Sequence, residues 1–279
     1  MESLILTKHA LRLNGDLPSN SWLNDRRKYL VTTTAASLLQ QTNSDFTWCI
    51  LVDSEIFDDE VALLKEVVPA RLSVLYLQIN GELNPSSLKK AISDTLLLKP
   101  GEVVTSTILD NDDALSPEFV HDMRCSITSA IKMPVILDFT FGAVFDVESR
   151  VVMTRHYYRS CFQTLVEAVD DSCSIDTVFA FGHHLLADHF RYIEFPEKKI
   201  KWIMFVHGNN LGNQAWGFPA NDSNLDPLTR NLLPPSLANG PERTVYFFKM
   251  ITRYLFFVFR EGMFRSRLKS LARNLRIKS

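Results

Sequence analysis

The chain has 279 residues, 46% hydrophobic and 22% charged, with ten Gly and twelve Pro, a balance that supplies a sizeable core and excludes collagen-like and disordered classes. The formal net charge of −2 is a sum of opposites: residues 1–242 carry 20 Lys and Arg against 31 Asp and Glu, while residues 243–279 carry ten against the single Glu261. An acidic body with a basic tail points the tail toward anionic lipid or nucleic acid.

Strand-like and helix-like patterns alternate from the start. Leu4–Thr7 is a short apolar run, and 24–41 has helical length with Leu30, Leu38 and Leu39 among polar residues. TWCILV over 47–52 reads as a buried strand that ends at Asp53. A helix over 58–68, an alternating strand over 71–79, a helix over 86–98 and a β-rich run over 102–109 follow. The last of these stops abruptly at Asp110-Asn111-Asp112-Asp113, after which Ser116 and Pro117 can cap and open the next helix. Strands separated by helices of about 10–15 residues imply βαβ units and a mostly parallel sheet, in which ligands gather at the carboxyl ends of strands. Asp53 and Asp110–Asp113 stand at such ends.

Beyond residue 130 the pattern turns β-rich, with short strands predicted over 135–139, 143–147 and 150–154, helices over 158–169 and 175–190, and a last strand over 202–206. Residues 208–241 are loop-rich and read as a lid or linker. The apolar run before Lys8 and His9 is too short for a signal-peptide core, and no window is apolar enough for a spanning helix. Cys49, Cys125, Cys161 and Cys173 fall at irregular spacings with no C-x-x-C pair, so reduced thiols in a cytosolic protein are the expectation.

The acidic cluster in ILDNDDAL is the strongest chemical signal. Two carboxylates one residue apart at an exposed strand end can point at one hard divalent cation, which in turn neutralises a diphosphate. The bland alternative is an acidic turn capping the helix near Ser116, but so much like charge in one place costs stability unless a cation offsets it. A second constellation, WIMFVHGNNLGNQAW, puts His207 at the end of a buried strand before Gly208, Asn209 and Asn210. It offers an imidazole ligand, suited to manganese more than magnesium, beside a loop rich in hydrogen-bond donors. Here the alternative is a strand-end His satisfied by backbone.

Taken together, Trp22, Arg26, Gln40, Gln41, Phe46, Trp48, Asp53, ILDNDDAL, Pro134–Gly142 and KWIMFVHGNN resemble the rhamnosyltransferase family, a group within the glycosyltransferases of the GT-A fold. The resemblance covers about residues 1–216 and is most specific at 110–115 combined with 202–210. It implies a GT-A-like, Rossmann-like α/β fold and a hexosyltransferase that moves a sugar, rhamnose by the family label, from a nucleotide-sugar donor to a glycan or lipid-linked acceptor. It further implies Asp110, Asp112 and Asp113 as the metal- and diphosphate-binding motif, with His207 as a later ligand to Mn or Mg. Asp53, Lys8, Asn111, Asn209 and Asn210 would join Asp110 around the nucleotide sugar. The first strand departs from the family's T-R-F-N-like start, reading LTKHALRL with Lys8 as the candidate basic residue. A catalytic base has four candidates, Asp188, Glu167, His184 and Asp138, which the sequence does not separate. HHLLADH resembles the H-H-x-x-x-D string of condensation-type acyltransferases but lacks the Gly after Asp188. LDNDD resembles a D-x-D phosphohydrolase but has Ala114 where Thr or Val is expected.

In the tail, 245–259 is apolar on most of the helical wheel with Lys249, Thr252, Arg253 and Arg260 as a polar stripe, and 264–275 carries an apolar stripe amid Arg and Lys. Such a basic amphipathic extension fits an anionic membrane surface, with packing on the catalytic domain or in a homodimer as the competing use; nucleic acid is not expected. The predicted organisation is therefore a catalytic domain over 1–216, a linker or lid over 217–242 and the tail over 243–279, in a cytoplasmic protein peripheral to the inner face of the membrane. The opposing functional class is a non-catalytic membrane-surface scaffold of the same fold.

Overall fold

The structure is a computed structural model and describes residues 1–207, 217–220, 225 and 230–233. In chain order it contains β1 (Glu2–Ala10), α1 (Asn20–Tyr29), α2 (Ala36–Leu39), β2 (Thr47–Asp53), α3 (Phe57–Val67), β3 (Val74–Ile79), α4 (Pro85–Thr95), β4 (Val103–Ile108) and β5 (Ala114–Leu115). There follow α5 (Phe119–Cys125), β6 (Val135–Phe139), β7 (Phe141–Asp146), β8 (Val151–His156), β9 (Thr164–Ala168), α6 (Leu186–His189), β10 (Arg191–Phe195), β11 (Trp202–Val206) and β12 (Phe218–Pro219).

The chain forms two compact units. The first comprises Met1–Asp138 and Arg159–Glu194, and the second Phe139–Tyr158 with the described residues from Phe195 onward. The first unit is built on a seven-stranded sheet in the order β10-β6-β9-β4-β1-β2-β3. Within it β3, β2, β1 and β4 run parallel, and β9 is antiparallel to both β4 and β6. Buried on both faces, β1 and β2 read as near-continuous apolar runs, as central parallel strands must. The core joins Leu4, Leu6, Leu51, Ile79, Leu88, Ile92 and Leu165. Local chemistry sets the helix starts: Ser19 accepts from the Trp22 amide ahead of α1, and Asn84 and Ser87 form a reciprocal capping box ahead of α4, with Pro85 in the first turn.

The predicted helix over 24–41 is present but not uniform. Between α1 and α2, residues Leu30–Ala35 form a π-helical turn. Two predicted helices fail. The one over 158–169 is replaced by β9, because Thr164–Ala168 completes the sheet between β4 and β6, with Thr105 and Val135 both registered on Val166. The one over 175–190 shrinks to the single turn of α6, since Thr177 adopts φ 65° and its neighbours bond to side chains instead of to their own helix.

In the second unit β12, β8, β7 and β11 lie side by side; β7 is antiparallel to β8 and parallel to β11. Trp202 is fully buried, and its indole donates to the Phe139 carbonyl at 2.7 Å. Gly142 is required here because a Cβ would lie 2.1–2.4 Å from the Trp202 ring. Gly142→Ala is therefore expected to destabilise the protein by about 1–3 kcal/mol or more, the scale of overpacking in a filled core. Thermal unfolding checks this: the melting point should fall by several degrees, and an unchanged one would disprove the contact. No disulfide joins the four cysteines, and among the described residues no helix is long and apolar enough to cross a membrane. Most of 208–241 and all of the tail lie outside the described residues.

Candidate active site

The carboxyl ends of β1, β2 and β4 converge on one end of the first unit's sheet. β1 is irregular there: Lys8 registers on Leu51 and Ala10 on Val52, so His9 is an extra residue. This bulge turns His9 inward, where it is 2% exposed with Nε2 at 2.9 Å from Glu60 and Nδ1 at 3.3 Å from the Asn111 amide. Lys8 faces out. Its Nζ stands 4.0 Å from Asp110 and 5.5 Å from the centre of the Phe179 ring.

Asp110–Asp113 forms a turn, the Asp113 amide donating to the Asp110 carbonyl at 3.2 Å. Thr34, in the π-helical turn, donates to the carbonyls of Asp113 (2.9 Å) and Asp110 (3.3 Å) and so fastens the turn from beneath. Such irregular helical turns recur at functional sites because they re-aim one side chain without ending the helix. Gln41 secures the following loop, donating to the Ser116 carbonyl at 2.8 Å and accepting from the Val120 amide at 3.1 Å.

The acidic residues of the turn have separate environments. Asp112 is 3% exposed and ion-paired with Arg26, which also donates to Asn111 and lies 4.8 Å from the Trp22 ring centre. Asp113 is fully buried. Asp110 keeps 35% of its side chain exposed. Desolvation raises its pKa above the usual carboxylate range, Lys8 and Arg26 oppose that shift, and the Asp112 charge adds to it. The expected pair of carboxylates facing one cation is thus divided in this conformation, one open and one held by a guanidinium. Among the described residues no group of three or more His, Cys, Asp or Glu is arranged to hold a metal ion.

Asp53 is fully buried at the end of β2, accepting from Arg12 Nε and from the Glu55 amide, each at 2.9 Å, while Arg12 also pairs with Glu55. Arg12, His9 and Glu60 were not singled out from sequence. Arg12 lies within LTKHALRL, where its basic character is plain, whereas no local pattern ties Glu60 to β1. Glu60 also pairs with Arg27, and its carboxyl pKa lies below the usual range because hydrogen bonds from His9 and Arg27 outweigh desolvation, the largest single effect.

The four base candidates occupy different surroundings. Asp188 pairs with Arg159 at 2.7 Å, is half-exposed and has a lowered pKa, chiefly from that hydrogen bond. The Glu167 carboxylate is engaged by the amides of Asp176 (2.8 Å) and Thr177 (2.9 Å), which places it in loop support. His184 is exposed, 5.6 Å ring to ring from His183. Asp138 is fully buried, accepting from the Ser160 amide and hydroxyl and from Tyr192, and desolvation pushes its pKa up to about 6. His207 follows β11 in the second unit. Asn209 and Asn210 lie outside the described residues.

The first unit is a mixed α/β sheet with a parallel core, and its strand ends bring together a lysine and an acidic turn. Residues 15–217, well over half the chain, match the family described as "Putative rhamnosyl transferase", and the chain belongs to that family. No curated protein matches. Among solved structures the chain is similar to TarS of S. aureus, with 14% identity and a TM-score of 0.39 over 74% of this chain and 37% of that one. A TarS 1–349 structure in complex with UDP gives 13% identity and a TM-score of 0.39 over 74% of this chain and 61% of that one. The chain therefore spans less than two thirds of either neighbour's length.

Proposed function

We propose that this protein transfers a hexose, rhamnose by its family, from a nucleoside-diphosphate donor to a glycan or lipid-linked acceptor. One observation carries this: Lys8 and Asp110, 4.0 Å apart and both solvent-open, sit at the carboxyl ends of adjacent parallel strands in a chain of this family. Lys8 would take a phosphate oxygen as a point charge. Arg12 and the buried Asp53 hold the end of β2 rigid beside it. Thr34 and Arg26 fix the backbone and the Asp112 side chain of the turn, so that Asp110 meets the donor already oriented.

The donor set fits a divalent cation that draws most of its ligands from water and the diphosphate. Asp110 supplies the open carboxylate, and Asp112, if Arg26 lets go of it, a second. Such a cation would offset the charge that develops on the departing diphosphate. Contributions by His207, Asn209 and Asn210, and membrane attachment through 243–279, belong to the same proposal. A non-catalytic scaffold remains the opposing class, and ligand-induced protection separates the two. With MnCl2 present, at least one of UDP, GDP or dTDP is expected to raise the melting point, by an amount equivalent to about 2.7 kcal/mol at a hundredfold excess over Kd. No shift with any of the three would overturn the proposal.

A further inference from the structure

The segment joining β9 to β10 contains the HHLLADH string. Its backbone is held at many points by side chains distant in sequence. Besides the two amides bound by Glu167, the Val178 amide donates to the Ser106 hydroxyl at 2.8 Å and Gln163 donates to the His183 carbonyl at 3.1 Å. Arg159 donates at 2.7 Å to the His184 carbonyl and at 2.7 Å to Asp188. This rigid loop presents Phe181 to solvent, 37% exposed, stacked on the exposed ring of His189 with centroids 3.7 Å apart and planes 3° from parallel. Phe190 buttresses the stack edge-on at 5.9 Å.

Its position in the sheet is specific. Strands lie in the order β2-β1-β4-β9; the segment leaves β9 at the amino end of β4, where Glu167 registers on Val104, and runs past Ser106 to Gln163, whose carbonyl accepts from the Ile108 amide at the carboxyl end of β4 and whose side chain holds the His183 carbonyl. Phe179 of the same segment meets Lys8, which links it to the strand ends where the proposed function would bind the diphosphate. We propose that the Phe181–His189 stack is an acceptor subsite that takes the C–H face of a pyranose ring. The carbon-bound hydrogens of a sugar carry partial positive charge and pack against the negative face of an aromatic ring. Pinning the loop in advance lowers the ordering cost of binding. The assignment rests on the glycosyl-transfer reading.

Saturation-transfer NMR on the full chain, with methyl α-L-rhamnoside, methyl α-D-glucopyranoside and methyl β-D-galactopyranoside as probes, tests it alongside thermal shifts with UDP, GDP and dTDP. At least one glycoside should receive saturation at its ring C–H protons. Phe181→Ala and His189→Ala, each checked for a wild-type melting point, should raise its Kd by about 2–10-fold, the scale of one aromatic contact, and leave the nucleotide shift unchanged. His189→Ala removes only an exposed ring and so serves if Phe181→Ala disturbs the fold. Equal binding by wild type and variants, or no glycoside bound while a nucleotide still shifts the melting point, overturns the subsite alone. Absence of both glycoside and nucleotide binding overturns the glycosyl-transfer reading with it.

Discussion

Replacing Arg26 by Met should unfold the protein far more readily than any surface change, by about 3–5 kcal/mol, because it leaves the buried Asp112 carboxylate without its countercharge. Met keeps an aliphatic stem but removes the guanidinium, which also lies over Trp22 with Cζ 4.8 Å from the ring centre, so the loss combines the stranded charge with a lost cation–π contact. In a domain of this size that corresponds to a melting-point fall of roughly 6–20 °C. The double variant Arg26→Met with Asp112→Asn should recover much of it, because the second change removes the stranded charge. Equal melting points for the single and double variants would show that the ion pair is not what holds the turn.

The second large effect falls on turnover. Asp110→Asn should lower the transfer rate by about 100-fold or more, the scale of losing one preorganised electrostatic group, while the fold is kept. The sign of the stability change follows from the raised carboxyl pKa of Asp110. A carboxyl whose folded pKa lies above its unfolded one loses stability as pH rises through that interval, so near neutral pH the neutral amide should hold or raise the melting point. The two substitutions are therefore expected to separate two contributions of one turn: the Arg26–Asp112 pair to stability and, under the proposed function, Asp110 to the reaction. If Asp110→Asn cut stability and spared turnover, the assignment of the open carboxylate would fail. Initial rates with a donor found by the nucleotide screen, read beside melting curves, decide it.

The sheet and its acidic turn were legible because their signals are local. TWCILV ends at Asp53, and EVVTSTIL breaks at Asp110; both features require only apolar runs buried on two faces and a polar stop. What escaped depends on partners remote in sequence. Thr164–Ala168 becomes a strand because β4 and β6 leave a gap of that width. The helix expected over 175–190 gives way because Glu167 and Ser106 claim the amides of Asp176, Thr177 and Val178. Charge showed the same limit. The sequence located the carboxylates at 110–113 and Asp53 but not the Arg26 side chain that occupies Asp112 or the Arg12 side chain that meets Asp53.

The place of β9 in the sheet has a consequence for synthesis and dissection of the chain. When residue 138 has been made, β6 has no route to β4, because the strand that joins them does not exist until the chain has passed through β7 and β8 and reached Ala168. Until then β4 presents an unpaired edge, and its eventual partner arrives about 60 residues later, with Thr105 on Val166. Pairing of this range is slow to form and exposed to aggregation meanwhile. The first unit therefore cannot be cut out as an N-terminal fragment ending at Asp138; its seven-stranded sheet closes only once the second segment, Arg159–Glu194, is present.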